Sequence, residues 1–483
     1  MIVSHRIVAP HYDRPMRALI KRIHQSAVIW SLVATLLRVG ANLFVLPLIL
    51  RKLPPDQLGL WYVFGSIGSL AALLDLGFEP TVARMASYAW GGASRFVAFG
   101  FHQEDAERPD LGANLPLLRD LIATLKAYYL YVGLGVLFLL ALGGGCWVWI
   151  VTENLPTPSS LRWAWVVYAA GCSLNFVSGR WPALLTGVGA VRDAQFVSIV
   201  SLLVYYALAV AGLLAGMGLW AMVLSSVGLG FVARSLGQRL FQKVVAFPGG
   251  LPMAHFDRKI FSAIWPNAWR TGFVSIGAFM IVQSNTLVCS AFLGLKATAS
   301  YGISFQVISI LFGLCGTWMA VKTPLINQLR VQGRHQDIVP VFVGRMRLTI
   351  LSYFAGALCV IFLASPTLRL LGSKTTLLPE DQLAVLALIR FLELHHSLYG
   401  ALVLSENHNP FLKQALITGV AIVICSIILT PYLGVWGLLL STGLIQACYN
   451  NWWPVWRALR GLNLNPRLYF VHNFLRPGAW LKF

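Results

Sequence analysis

Acidic residues are scarce in this chain. It has 17 Asp and Glu against 37 Lys and Arg in 483 residues, and charged residues make up only 11%. A soluble globular chain carries about 25% charged residues and about 45–50% apolar ones. With 57% hydrophobic residues and a mean hydropathy of +0.71, the readings as a soluble enzyme or a disordered protein are excluded. The 7 cysteines (Cys146, Cys172, Cys289, Cys315, Cys359, Cys425, Cys448) fall within apolar stretches. They form no CxxC and no metal-ligand spacing, so they read as small buried hydrophobes rather than a disulfide framework or a zinc site. There is no Walker A motif: Gly372-Ser373-Lys374-Thr375 lacks the Gly-Lys pair and the upstream glycine. No GxGxxG opens a helix after a strand. No cofactor is implied, and energy must come from an ion gradient, a substrate gradient or a partner.

What is present is a succession of apolar runs of about 20 residues, the length that crosses a bilayer as a helix. Twelve spans are expected, near 28–50, 59–79, 127–151, 162–182, 194–215, 217–237, 262–288, 300–321, 346–366, 382–404, 412–431 and 434–455. The first run, from about Ala27 to Leu50, is too long for a signal-peptide core, and no small-residue cleavage site follows it. Short joins at Gly216 and at Tyr432–Leu433 require antiparallel hairpins.

The formal charge of +20 would point to nucleic acid in a soluble chain. Here the positive-inside rule accounts for it, and no nucleic-acid partner is expected. With the N-terminus in the cytoplasm, 28 of the 37 basic residues fall on the inner side and 6 on the outer. The remaining 3 lie within spans: Arg38, Arg270 and Arg390. Both termini are therefore expected to be cytoplasmic. No outward loop exceeds about 15 residues, so none forms an external domain. The acidic cluster Glu104, Asp105, Glu107 and Asp110 reads as a solvated inner linker. The basic and aromatic tail from Arg457 to Phe483 suits an anionic inner leaflet.

A weak repeat divides the chain. Arg38, then Leu58-Gly59-Leu60-Trp61-Tyr62, is echoed by Arg270, then Phe292-Leu293-Gly294 and Ala299-Ser300-Tyr301-Gly302. The arginines are 232 residues apart and Tyr62 and Tyr301 are 239 apart. The expected fold is an all-α polytopic membrane protein with about 12 transmembrane helices, as two six-helix halves around a central cavity. The organisation is a basic N-terminal segment (1–27), a first half (28–237), a cytoplasmic linker (238–261), a second half (262–455) and a tail (456–483).

Charges inside a bilayer cost about 2.5–3.5 kcal/mol each on insertion scales, which makes them candidate functional residues. Ser31, Thr35, Arg38 and Asn42 stack on one face of the first span, which argues for a water-lined surface, although Arg38 also fits a structural arginine paired within the bundle. In the second span Gly65, Gly68, Ala72, Asp75 and Glu79 share a face. The small residues permit close helix approach. Asp75 and Glu79 place two carboxylates one turn apart, which suits ion coupling; alternatively Glu79, followed by Pro80, simply ends the helix. Asn267 and Arg270 share a face of the seventh span. Arg390 and Glu393 in the tenth either neutralise each other or serve substrate and ion. His395 and His396, being adjacent, point apart and do not suggest a metal. The 17 Trp residues sit mostly near span ends, as Trp452, Trp453 and Trp456 do, and read as interfacial anchors.

The stretch Arg38-Val39-Gly40…Pro47-Leu48…Arg51-Lys52-Leu53-Pro54-Pro55-Asp56-Gln57-Leu58-Gly59-Leu60-Trp61 resembles the opening of polysaccharide (O-antigen type) flippases. It continues in a similar pattern through Leu73-Leu74-Asp75-Leu76-Gly77-Phe78 and Arg84, and Pro266, Phe292-Leu293-Gly294 and Tyr301 repeat it in the second half. These flippases belong to the multidrug/oligosaccharidyl-lipid/polysaccharide (MOP) exporter superfamily. The chain departs from the pattern at Leu53-Pro54-Pro55, where Leu-Gly-Pro is usual. The resemblance implies alternating-access transport of an undecaprenyl-diphosphate-linked oligosaccharide across a bacterial inner membrane, with H+ or Na+ as coupling ion and contacts to the polysaccharide biosynthesis machinery.

Substrate contacts would then come from Arg38, Asn42, Asn267, Arg270 and Arg390, and ion coupling from Asp75, Glu79 and Glu393. Three arginines face three carboxylates in that set, so the sequence sets no net sign for the cavity. Two other readings stand beside it: an ion-coupled multidrug or cation exporter of the same superfamily, and a membrane-embedded polysaccharide polymerase or ligase. The short outward loops argue against the last, because such enzymes usually carry their site on a substantial outer loop.

Overall fold

The structure is a computed structural model that describes residues 37, 40, 45–75, 78–96, 112–331, 334–405 and 410–475. Among these residues there are helices and turns and no strand. The first span enters as the helical segment 45–52, followed by α1 (Pro55–Gly68), α2 (Leu70–Leu73) and α3 (Phe78–Trp90). The first half continues with α4 (Leu115–Leu139), a π-turn (Leu140–Gly144), α5 (Gly145–Thr152), α6 (Pro158–Ser178), α7 (Arg180–Gly187), α8 (Val191–Leu214) and α9 (Leu219–Val244). The second half has α10 (Arg258–Val282), α11 (Ser284–Phe292), α12 (Gly294–Ala320), α13 (Thr323–Val331), α14 (His335–Leu370), α15 (Glu380–Leu404), α16 (Leu412–Leu433) and α17 (Val435–Cys448). α18 (Trp453–Gly461), α19 (Pro466–Phe470) and a π-turn (Val471–Leu475) close the described chain.

Each expected span from the second onward has a helical counterpart among the described residues, and the first is described only at 37, 40 and 45–50, which are helical. Seven of the described helices are long and apolar enough to cross a membrane by length and composition. The others are broken, short or charged, as in α1 to α3, in α17 and in α15 with its Arg390 and Glu393. The molecule is a multi-span helical membrane fold in two halves.

Local chemistry explains the boundaries. The Asn114 side chain accepts from Leu117 N at 3.0 Å to cap α4, and Asp257 accepts from Lys259 N at 2.7 Å to cap α10. The hairpin between α8 and α9 turns through Gly216 and Gly218, at φ 79° and 57°, a region that L side chains rarely adopt. The join of α16 and α17 is Gly434, at φ 58°, rather than Tyr432–Leu433, which are still helical.

Three boundaries differ from expectation. The second span does not end near Glu79: it opens after Leu73, resumes at Phe78 and runs on to Trp90. The seventh breaks at Gln283, where Ser284 begins a new helix, and the twelfth stops at Cys448 before a separate amphipathic helix. That last helix, α18, buries Val455, Ala458 and Leu459 while Trp452 and Trp456 stay exposed at its start. The acidic cluster at 104–110 lies outside the described residues.

Two hydrophobic cores correspond to the two halves, each taking a few residues from the other. The segments that form the sequence repeat touch one another. α1 crosses α12 so closely that a Cβ at Gly59 would overlap the Leu295 carbonyl, and one at Gly302 would overlap the Tyr62 ring. Tyr62 donates its hydroxyl to Gln306 Oε1 at 2.6 Å, and Lys374 N donates to Leu50 O at 2.9 Å. The halves are thus closed on each other at the end that the basic-residue distribution assigns to the outside.

Candidate functional site

The break in the second span builds a site. Where α2 stops, the amides at the start of α3 lose their intrahelical partners. Asp75 answers them: its Oδ2 accepts from Glu79 N at 3.0 Å, and its Oδ1 accepts from the Tyr129 hydroxyl at 2.9 Å. The positive end of the α3 dipole also favours negative charge there. Asp75 is therefore a fully engaged helix cap. Glu79, one turn on, has no hydrogen-bond or ion-pair partner for its carboxylate among the described residues. The alternative that Glu79 merely ends the helix is corrected, since it stands in the first turn of α3.

Both carboxylates line a cavity of about 330 Å³ inside the first half, with Gly68, Tyr129, Asn175 and Gly179. Asn175 donates to Ser226 O at 3.2 Å, while its Oδ1 is buried without a hydrogen-bond partner. Asn175 Oδ1 is packed against Gly230 rather than open to the cavity, so the free Glu79 carboxylate is the group there that can take up a proton or a small cation. Just beyond Gly179, buried Arg180 donates to Val177 O at 2.9 Å, and its Nε has no partner. Sequence reading did not single out Tyr129, Asn175 or Arg180. Tyr129 is 54 residues from Asp75, and only folding brings the two together.

If Glu79 exchanges the coupling ion and Asp75 positions the helix, their neutral variants will differ. Glu79→Gln is expected to leave abundance unchanged and to make transport insensitive to the imposed gradient. Asp75→Asn keeps a capping oxygen but removes the negative charge from the α3 N-terminus, which costs about 0.3–1 kcal/mol, so it should lower thermal stability slightly as well. Gradient-driven transport in vesicles and melting of the purified protein separate the two. Normal coupling in Glu79→Gln would remove that residue from the site.

In the second half the structure joins Arg390 to Glu393, with Nη1 2.5 Å from Oε2. The guanidinium lies between the rings of Phe305 and Phe312, 4.8 and 4.6 Å from their centroids, and both side chains are largely buried. The cavity beside them measures only about 10 Å³, too small for a phosphate. In this conformation the pair is internally neutralised, and the structure does not bring it to the first-half cavity. Asn285 nearby donates to Thr442 Oγ1 at 2.7 Å and accepts from Ser426 at 2.9 Å, a satisfied buried network. His396 faces Asn451 at 3.0 Å while His395 packs against Tyr399, so the two rings serve different partners.

Arg38 and Asn42 lie outside the described residues, as do Ser31 and Thr35. Asn267 and Arg270 stand on α10, and their side chains lie outside the described set. α10 packs along α16, with Gly277 against Ala415, and its inner end meets α3 and α4 through Phe261, which stacks on Phe78 at 5.9 Å. The helix that carries Arg270 therefore runs along the seam next to the Asp75–Glu79 break.

No protein-family model matches the sequence, and no curated protein matches it. Solved structures do match the fold. An inward-facing multidrug resistance MATE transporter of the MOP superfamily superposes with a TM-score of 0.64 at 11% identity, over 91% of this chain and 99% of that one. The lipid II flippase MurJ, in an inward closed conformation, gives 0.59 at 11% identity, over 92% and 89%. The MATE multidrug transporter DinF-BH in complex with R6G gives 0.57 at 13%, over 94% and 98%. The chain has the fold of MOP superfamily transporters. The superposed proteins are transporters and a flippase.

Proposed function

We propose that this protein is a flippase that carries an undecaprenyl-diphosphate-linked oligosaccharide across a bacterial inner membrane by alternating access, coupled to H+ or Na+. The observation that carries the reading is the presence of arginines at bilayer depth in both halves. Arg38 lies in the first span, and Arg270 lies on α10 beside the carboxylate break. An arginine fork suits a diphosphate in a wet cavity, where a cationic drug would be repelled. Asn42 and Asn267, one helical turn from these arginines, supply neutral hydrogen bonds to phosphate or sugar. Arg390 and Glu393 hold the second half together in the state described here and are left out of the substrate set. The lipid tail stays in the bilayer while the two halves rock to open each side in turn, the α1–α12 crossing closing the outer one. Cytoplasmic termini follow from the same basic-residue distribution.

One observation favours a second reading. The acidic cavity in the first half would also serve an ion-coupled exporter of cationic compounds, like the multidrug transporters that share the fold. Depletion of the protein in its host separates the two. The flippase reading expects a lipid-linked glycan to accumulate on the cytoplasmic leaflet and to clear on re-expression. Unchanged glycans with heightened sensitivity to cationic dyes would establish the exporter instead.

A further inference from the structure

The π-turn at Leu140–Gly144 shapes a second feature, on the lipid-facing side of the first half. The extra residue in the turn offsets α5 from α4, and the Trp165 indole donates to Leu140 O at 2.9 Å. Gly144 lets that ring approach, since a Cβ there would overlap it. Beside the contact runs a groove of about 690 Å³ between α5 and α6, walled by Leu142, Gly145, Cys146, Trp149, Trp163 and Val166. That volume falls in the roughly 300–1,000 Å³ range of ligand sites. Its large side chains are exposed: Leu142, Trp149 and Trp163 each keep more than half their surface open. Trp147 on the same helix reaches Ser290 of the second half at 3.3 Å. Gly145 and Trp149, two residues to either side, lie on the opposite face of the helix, away from the seam.

At the end of the groove stands Arg162. Its guanidinium lies 3.5 Å above the Trp149 ring, and its Nε donates to Thr152 Oγ1 at 3.3 Å. Its two terminal nitrogens have no hydrogen-bond or ion-pair partner among the described residues. Thr152 ends α5 and Pro158 begins α6, so this cation sits at a level where helices leave the bilayer. It is also one of only 6 basic residues on the side that the positive-inside rule leaves poor in them.

We infer that this groove binds one anionic phospholipid of the surrounding leaflet, an acyl chain against the apolar walls and the phosphate on Arg162. The apolar walls admit a chain and offer nothing to a soluble anion. The unpaired guanidinium favours a head group with net negative charge over a zwitterionic one. The position away from the seam separates this lipid from the transported one.

Native mass spectrometry of the full-length protein in mild detergent, titrated with phosphatidylglycerol or phosphatidylcholine, tests the assignment. Wild type should hold one phosphatidylglycerol about fivefold or more tighter than phosphatidylcholine, as about 1 kcal/mol per basic residue implies. Arg162→Ala should abolish the preference, with Arg162→Gln as the substitute should the alanine variant fail to fold. Cys146→Trp, which fills the groove, should remove the bound lipid. Equal retention of the two lipids, a preference that survives at Arg162→Ala, or displacement by an equal concentration of undecaprenyl phosphate would overturn it.

Discussion

Gly59→Leu is expected to abolish export while the protein stays in the membrane. A side chain at this position meets the Leu295 backbone carbonyl, not the tip of a flexible side chain, so the contact cannot relax without moving α12. Overpacking of this kind costs about 1–3 kcal/mol, which shifts a two-state equilibrium by roughly 5–150-fold. If this crossing is the contact that closes the outer side, the penalty falls on the outward-closed state. The halves should rest open to the outside, and transport should lose one limb of its cycle. A single cysteine at Gln306, behind the seam, should then label from outside much faster than in the parent; the 7 native cysteines are first replaced. Gly59→Ala should show the same change to a smaller degree. Wild-type export and labelling in Gly59→Leu would mean that α1 and α12 do not form the outer gate.

Arg38→Ala should lower export by two orders of magnitude or more at normal abundance if Arg38 meets the diphosphate. Two charge-assisted hydrogen bonds are each worth about 1.5–3 kcal/mol, which sets the scale. Arg38→Lys restores the charge without the fork, so it should recover only part of the rate. Transport of a defined lipid-diphosphate glycan in vesicles, beside a blot for abundance, gives the answer. Full activity of the alanine variant would make Arg38 a structural charge. Low abundance, rescued by removing a carboxylate elsewhere, would identify it as one member of an internal pair.

The repeat and the crossing show how far a sequence reaches. Leu58–Tyr62 and Phe292–Gly302 are legible as equivalent segments because like helices need like side chains. That Gly59 then meets Leu295, and Gly302 meets Tyr62, is a statement about where two distant surfaces dock. Arg390 and Glu393 are the opposite case. Three residues apart on one helix, they could be paired on paper, and the structure pairs them.

Spans, hairpins and the distribution of basic residues were determined by the sequence, because hydropathy and charge act over about 20 residues of contiguous chain. Gly216 marked a turn for the same local reason, whereas the turns at Gly218 and Gly434 emerged only in the structure. The break in the second span is not legible in the sequence, which reads as one helix over 59–79 with Pro80 just past its end. Only the tertiary structure brought Tyr129 to Asp75, left Glu79 and Asn175 facing one cavity, and enclosed Arg390 between two phenylalanines. Those outcomes depend on helix docking, and docking is fixed by shape and small-residue contacts between segments dozens to hundreds of residues apart.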